Sequence, residues 1–146
     1  MNIHIKSVDG EYFSRSFMTK IAELLYRYGC AGHAYITGRG EVMEAALEIA
    51  PDIPRCMGAG PDPETLTVVE RAIRYKCSKA QFFTKHFNQD LIDLAHQNGI
   101  RCNYFYTDDP LRAKELLAMG MDTLLTNNYW QIARIRNEFL QEREKK

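Results

Sequence analysis

The sequence lacks a net charge, because nineteen lysine and arginine residues balance nineteen aspartate and glutamate residues in a chain of 146. A chain without an overall field is not drawn onto nucleic acid or an anionic membrane. Long hydrophobic runs are also missing, since none approaches the roughly 18 residues that a bilayer span requires. The first residues do not combine a basic head with a long apolar stretch, as a signal peptide would. The sequence therefore predicts neither a nucleic-acid partner nor a membrane span.

Paired cysteines are absent as well. The four cysteines are widely spaced, without a Cys-x-x-Cys pair, and are Cys30, Cys56, Cys77 and Cys102. This pattern is typical of free thiols in a reducing compartment, so we predict a cytoplasmic location rather than a disulfide-framed secreted domain. Phosphate-loop, dinucleotide-binding, nucleophile-elbow and zinc-helix motifs are missing too. The turns at Gly38-Arg-Gly40 and Gly58-Ala-Gly60 carry none of these signatures and are predicted to be loops.

Six short apolar or β-branched runs are present, and each is followed by a stretch with helical periodicity. The runs cover residues 2–6, 33–37, 53–57, 80–83, 100–106 and 123–126. Strands that alternate with helices predict an α/β fold with a parallel sheet and right-handed crossovers. No linker or low-complexity segment divides the chain, so residues 1–146 are predicted to form a single domain. An open sheet and a barrel both satisfy this pattern.

Local signals set the helix boundaries and faces. In the first helix, apolar residues recur at helical spacing and are expected to face the core: Phe17, Ile21, Leu24, Leu25 and Tyr28. Gly29 follows as the expected C′ glycine. Further along, Asp109 and Pro110 form an N-cap and first-turn pair, which predicts a helix that ends at Gly120.

Both folds place functional residues at the C-terminal ends of the strands. The residues that the sequence puts there are Lys6, Thr37 and Gly38, and those at 57–60, 84–86, 106–109 and 126–128.

Three segments resemble the glycerophosphodiester phosphodiesterase family, a metal-dependent group of (β/α)₈ TIM barrels. Asn2-Ile-His-Ile-Lys6 resembles the family pattern Asn-Ile-Glu-Ile-Lys. Asn103-Tyr-Phe-Tyr-Thr-Asp-Asp-Pro110 resembles Asn-Val-Trp-Thr-Val-Asn-Asp-Pro, and Gly120-Met-Asp-Thr-Leu-Leu-Thr-Asn127 resembles Gly-Val-Asp-Gly-Ile-Ile-Thr-Asp. The order and spacing imply an incomplete barrel of about six βα units, matching the third to eighth strands. A whole barrel usually takes about 250 residues.

The resemblance implies hydrolysis of a glycerophosphodiester, a small-molecule phosphodiester, to an alcohol and glycerol phosphate. Two histidines act as acid and base in that reaction, and a divalent metal such as Mg²⁺ or Ca²⁺ is held by carboxylates. The family motifs that supply these groups precede the strand matched by Ile3 to Lys6, and none is found in this sequence. We therefore predict no catalytic residue here and an inactive chain when it is alone. The alternative is a non-catalytic α/β module that binds a phosphorylated ligand or a partner chain.

Three candidate site residues remain. Lys6 matches the family lysine that meets the phosphate, although it could be an ordinary strand-end lysine. Phe105 replaces a tryptophan of the substrate wall, or it is simply a wall or core aromatic. His4 stands where the family has a metal-binding glutamate, which makes it the candidate metal ligand. A neutral imidazole suits Mg²⁺ or Ca²⁺ poorly, so a structural role for His4 is favoured and the metal is doubtful.

Other positions depart from the family pattern or leave it incomplete. Tyr106, Asp108 and Asn127 replace Thr, Asn and Asp, which suggests a relaxed site. For Asp108 and Asp109, helix capping is favoured over metal binding. Six strands of a barrel would also leave open edges at residues 2–6 and 123–126. We therefore expect a homo-oligomer, pairing with a complementing N-terminal fragment, or a poorly soluble gene remnant.

Overall fold

The computed structural model describes residues 1–6, 14–58, 66–83 and 87–144. Six strands form one sheet in chain order, with the bounds β1 (Asn2–His4), β2 (Tyr35–Gly38), β3 (Arg55–Met57), β4 (Lys79–Phe83), β5 (Arg101–Phe105) and β6 (Thr123–Leu124). The registers of β1 with β2, β2 with β3, β3 with β4, and β5 with β6 are parallel.

A helix follows every strand. The helices are α1 (Arg15–Arg27), α2 (Gly40–Ile49), α3 (Val68–Arg74), α4 (Gln89–Gln97), α5 (Pro110–Met119) and α6 (Tyr129–Glu144), and a short 3₁₀ turn covers Ala31–His33. Strands in strictly sequential order belong to the (β/α)₈ barrel, because the order in a doubly wound sheet reverses at its switch point. The predicted incomplete barrel of six βα units is thus confirmed. In the part of the chain that the structure describes, no helix could cross a membrane.

The chain divides into two compact units, Met1–Ala80 and Gln81–Lys146, which are described in turn. The assignment of residues 1–146 to one domain stays a prediction. Of the loop positions that the sequence places at the strand ends, residues 59, 60 and 84–86 lie outside the described part of the chain.

The first unit has an apolar core between its strands and helices, with Ile36, Met43 and Ile53 fully buried. The expected core face of α1 is wrong at most positions. Leu25 is buried, together with two residues that the prediction omitted, Met18 and Ala22. The other expected positions lie outside the buried face: Ile21 is intermediate, and Phe17, Leu24 and Tyr28 are exposed. The apolar surface of α1 is wider than the face that the unit covers.

A buried arginine ties two helix ends together in the first unit. Arg55 is 5% exposed, and its guanidinium donates to carbonyl oxygens at the ends of α2 and α3. The acceptors are Ala50, Pro51, Ile53, Tyr75 and Lys76, at 3.0 to 3.5 Å. The last carbonyls of a helix have no partner within the helix and carry partial negative charge. Arg55 therefore supplies hydrogen-bond donors to the carbonyl oxygens at the ends of both α2 and α3.

The second unit has an aromatic core and well-capped helices. Phe87 packs edge to face on Phe82 and on Tyr104, with ring centroids 5.9 and 5.6 Å apart. The side chain of Asp109 accepts a hydrogen bond from the Leu111 N–H at 2.9 Å, at the start of α5. The predicted capping by Asp109 is confirmed.

Glycines in the left-handed region end three helices. They are Gly29 after α1 (φ 65°), Gly99 after α4 (φ 68°) and Gly120 after α5 (φ 103°). This region costs little only for glycine, so the predicted ends at Gly29 and Gly120 follow from local chemistry. After α3 the same region is occupied by Lys76, with φ 49°.

Candidate functional site

The candidate residues of the first unit lie on β1 and in the residues that follow it. Side chains alternate along a strand, so Asn2, His4 and Lys6 point to the same side. The register pairs His4 with Thr37 of β2, and the Thr37 hydroxyl donates to Asn2 Oδ1 at 2.7 Å. This hydrogen bond lies on the same side as His4 and Lys6, which are exposed. The structure therefore brings His4 and Lys6 together at the C-terminal end of β1.

Arg39 joins these two residues as a second cation. It is the N-cap residue of α2 and follows directly after β2. Partial burial, followed by the positive charges of Lys6 and Arg39, lowers the pKa of His4 below its ordinary value of 6.5. At pH 7 the imidazole is therefore neutral, and its surroundings favour an anion over a cation. Sequence reasoning missed Arg39, whose only signal was its position directly after a strand.

Two tightly packed glycines lie next to Arg39, at the C-terminal ends of β2 and β3. A Cβ atom on Gly38 would lie 2.5 Å from Val42 Cγ1, and the Gly58 N–H donates to the Gly38 carbonyl at 2.9 Å. A Cβ atom on Gly58 would lie 3.1 Å from the same carbonyl oxygen. The two glycines allow the chain after β3 to approach the chain after β2, and so fix the position where Arg39 begins α2.

In the second unit, Phe105 is the last residue of β5 and is 40% exposed. Its ring packs edge to face on Phe83, with centroids 5.3 Å apart, and on Tyr106, at 5.4 Å. These three rings form an aromatic cluster at the C-terminal ends of β4 and β5. Sequence reasoning named Phe105 but missed Phe83 and Tyr106 as its neighbours. The sequence signal for this cluster was that β4 and β5 both end at an aromatic residue, Phe83 and Phe105.

Asp108 organises the loop between β6 and α6. One of its carboxylate oxygens accepts from the Thr126 hydroxyl and the Asn127 N–H, both at 2.7 Å, and the other from Asn127 Nδ2 at 3.0 Å. Hydrogen bonds from the Asn127 side chain, the Thr126 hydroxyl and the backbone lower the pKa of Asp108. The carboxylate thus has a structural role in this loop, whereas the helix capping predicted for Asp108 is wrong, because Asp109 is the N-cap residue of α5.

The pairing of Asp108 with Asn127 changes the meaning of two departures from the family pattern. The family pattern has Asn at the position of Asp108 and Asp at the position of Asn127. This chain has the same two side-chain types in exchanged places, and they hydrogen-bond to each other. The exchange retains a carboxylate–amide pair in this chain, and the relaxed site stays a prediction.

One group in the described ranges could offer three ligand atoms to a metal, and it consists of His96, Cys102 and Asp122. Asp122 Oδ2 already accepts from the Cys102 N–H at 2.7 Å and lies 3.0 Å from His96 Nε2. Burial and the charge of Asp122 raise the pKa of the Cys102 thiol to about 12, so the thiol is protonated at neutral pH. Through these hydrogen bonds Asp122, which directly precedes β6, connects α4 with β5.

Comparison with solved structures identifies the class of fold. The chain superposes on a protein assigned as a glycerophosphoryl diester phosphodiesterase from Silicibacter pomeroyi with a TM-score of 0.80 and 17% identity, covering 92% of this chain and 49% of that one. A phosphodiesterase from Oleispira antarctica in complex with sn-glycerol-3-phosphate gives a TM-score of 0.74 and 16% identity, with coverage of 93% and 54%. A glycerophosphodiester phosphodiesterase from Agrobacterium tumefaciens gives 0.69 and 16%, with coverage of 93% and 55%.

These likenesses show that the chain has the fold of part of a glycerophosphodiester phosphodiesterase barrel, which agrees with the resemblance of its sequence segments. The chain spans about half the length of the solved structures that it matches. No protein-family model and no curated protein matches it.

Proposed function

We propose that this chain is a glycerophosphodiester phosphodiesterase-family domain whose first unit binds the phosphate of a glycerophosphodiester or of glycerol phosphate. The observation that supports this best is the pair of cations, Lys6 and Arg39, close to a neutral His4 where β1 ends. Lysine is a flexible point charge suited to phosphate, and arginine can offer two parallel donors. The sn-glycerol-3-phosphate bound to the Oleispira antarctica phosphodiesterase supports this ligand class.

The divalent metal that the family resemblance implies does not fit the first unit's site. Mg²⁺ and Ca²⁺ prefer several oxygen ligands, and His4 offers a neutral nitrogen close to two positive charges. We therefore assign no metal-dependent step to this corner, and His4 is better understood as a hydrogen-bonding or structural group than as a metal ligand.

In the second unit, taken by itself, we assign Phe105, with Phe83 and Tyr106, to an aromatic surface that binds apolar groups. Their edge-to-face packing orders the three rings, while Phe105 and Tyr106 keep exposed surface. An ordered aromatic surface binds apolar groups with little loss of side-chain freedom.

Binding can be tested by chemical-shift titration with sn-glycerol-3-phosphate and, separately, with inorganic phosphate. We expect both anions to shift the amides around Lys6 and Arg39, and Lys6→Ala to weaken binding by about tenfold or more, which corresponds to about 1.4 kcal/mol. Lys6→Arg should retain most of the binding, and Lys20→Ala on the exposed surface of α1 should retain all of it. Equal shifts in the wild type and Lys6→Ala would contradict the assignment.

Turnover is the second test. We propose that the chain does not hydrolyse glycerophosphocholine with Mg²⁺, Ca²⁺ or Mn²⁺, because the 146 residues supply neither the two family histidines nor the carboxylate ligands. An assay of released glycerol phosphate should show no metal-dependent rate above background. A rate within tenfold of a full-length family enzyme would contradict this and would require a histidine recruited from this chain.

We also propose a cytoplasmic location. None of the four cysteines is in a disulfide, and three of them are buried. Thiols in this state suit a reducing compartment. Labelling with a thiol reagent after extraction under non-reducing conditions should find all four cysteines reactive in the unfolded chain.

A further inference from the structure

Three side chains of the second unit that can ligate a metal lie together where β5 and β6 begin. His96 is in the last turn of α4, Cys102 is the second residue of β5, and Asp122 directly precedes β6. One nitrogen, sulfur or oxygen atom of each lies within 4.8 Å of the other two. Phe105, by contrast, is the last residue of β5. The group is therefore at the opposite end of the strand from the aromatic cluster described above.

The fold holds these groups in place without a ligand. Asp122 Oδ2 accepts from the Cys102 N–H at 2.7 Å and lies 3.0 Å from His96 Nε2. The imidazole ring also rests on Gly120, where a Cβ atom would lie 3.3 Å from His96 Cε1. Glycine at that position leaves room for the ring and fixes the side on which it lies. The ligand atoms are thus positioned by α4, β5 and the turn before β6, as a preorganised site requires.

The three atoms suit Zn²⁺ better than Mg²⁺ or Ca²⁺. An imidazole nitrogen, a sulfur and a carboxylate oxygen are all common zinc ligands, whereas Mg²⁺ and Ca²⁺ prefer oxygen alone. Three protein ligands leave the fourth tetrahedral position to water. The side chains of His96 and Asp122 are 41% and 36% exposed, so water and the ion can enter from their side.

The electrostatics of the group also favour a cation. Burial and the charge of Asp122 raise the pKa of the Cys102 thiol to about 12. A carboxylate that opposes a thiolate attracts a positive ion to the same place. When Zn²⁺ binds, the S–H bond breaks, a Zn–S bond forms and the proton passes to the buffer. The thiolate and the carboxylate then balance the two positive charges of the ion.

We propose that His96, Cys102 and Asp122 form a structural Zn²⁺ site that joins α4 to β5 and to the start of β6. Residues at the N-terminal ends of barrel strands serve stability, whereas those at the C-terminal ends serve catalysis. An ion held only by the folded chain stabilises it by mass action. The proposal does not depend on the phosphate site of the first unit or on any activity.

The test is metal titration of the purified chain after treatment with a chelator. Calorimetry with Zn²⁺ at neutral pH, in two buffers of different ionisation enthalpy, should give one ion per chain and release of about one proton. Co²⁺ should give a sulfur-to-cobalt charge-transfer band in the absorption spectrum. Zn²⁺ should also raise the Tm, and Mg²⁺ and Ca²⁺ should produce none of these effects at this site.

Two variants remove ligands with little change of shape. His96→Gln retains a donor to Asp122, and Cys102→Ser is close to isosteric. Each should weaken Zn²⁺ binding by at least about a hundredfold, since loss of even an outer hydrogen-bonding partner costs about 10- to 100-fold at such sites. Cys102→Ser should also remove the charge-transfer band. His33→Gln is the matched control, because His33 is exposed and lies three residues after Cys30, a second place where imidazole and thiol are close in sequence.

Circular dichroism checks the fold of each variant, and His96→Gln decides alone if Cys102→Ser does not fold. A wild type without the charge-transfer band or the proton release would overturn the proposal. Zn²⁺ binding that His96→Gln leaves unchanged would overturn it as well. A loss in His33→Gln equal to that in His96→Gln would do the same, because the ion would then bind elsewhere in the chain.

Discussion

The C-terminal ends of the strands differ sharply between the two units. In the first unit they carry Lys6 and Arg39 beside a neutral imidazole, an arrangement that selects an anion. In the second unit the carboxylate of Asp108 is committed to three hydrogen bonds, and the exposed groups are aromatic rings. The same βα architecture thus presents charge at one place and apolar surface at another. The comparison shows that the helices and strands do not determine the chemistry, which depends on the few residues beyond each strand.

The largest expected effect tests whether a buried arginine contributes more to the free energy of unfolding than an arginine at a strand end does. Arg55→Ala should destabilise the protein by about 3 kcal/mol, because it leaves the carbonyls at two helix ends without donors and opens a cavity. Arg39→Ala, at the end of β2, should change the free energy of unfolding by no more than about 0.5 kcal/mol. Urea denaturation of both variants measures the difference, and equal losses would remove this distinction.

The second prediction concerns the exchanged pair of the second unit. Asp108→Asn should lower the melting temperature, because the carboxylate that accepts three hydrogen bonds becomes an amide. The double variant Asp108→Asn with Asn127→Asp should recover part of the loss, since it restores the order found in the resembling family pattern. A double-mutant cycle by thermal unfolding gives the coupling between the two positions. Simple additivity of the two single changes would refute the compensated exchange.

The third prediction is that His4 and Asp108 contribute to the loss of stability in acid in different pH windows. The lowered pKa of His4 means that the unfolded chain binds this proton more readily, so stability decreases as the pH falls through about 6.5 and below. The lowered pKa of Asp108 acts with the same sign but below its ordinary value of 3.8. His4→Gln should remove the upper step, and Asp108→Asn should reduce the lower one, to which Glu70 also contributes through its own lowered pKa, in a series of unfolding curves against pH. An upper step that persists in His4→Gln would belong to another group.

The smallest expected effect compares the helix ends. Lys76→Gly should stabilise the protein by about 0.5–1 kcal/mol, because Lys76 occupies the left-handed region that Gly99 and Gly120 occupy in the second unit. Gly29→Ala should destabilise it by a similar amount, about 1 kcal/mol, for the converse reason. Chemical denaturation resolves changes of this size, and a destabilised Lys76→Gly variant would show that the lysine side chain contributes more than its backbone costs.

The sequence by itself determined the features that depend on near neighbours along the chain. The alternation of strands and helices, the helix ends at Gly29 and Gly120 and the cap at Asp109 were all predicted correctly. Each depends on backbone dihedral preferences or on hydrogen bonds that span only a few residues. The three resembling segments also predicted the partial barrel, which the solved structures share.

Only the tertiary structure decided what depends on residues far apart in the chain. Periodicity showed that α1 has an apolar side. It could not show that Leu25 is buried while Leu24 is exposed, because the neighbouring elements determine which part of that side is buried. Likewise, Asp108 and Asn127 are separate departures in the sequence, and the fold makes them partners across 19 positions. Arg39 became a candidate only when the register of β1 and β2 brought it near His4. Side-chain burial and hydrogen bonds between distant residues are properties of the folded chain, whereas helix caps and hydrophobic periodicity are properties of its local segments.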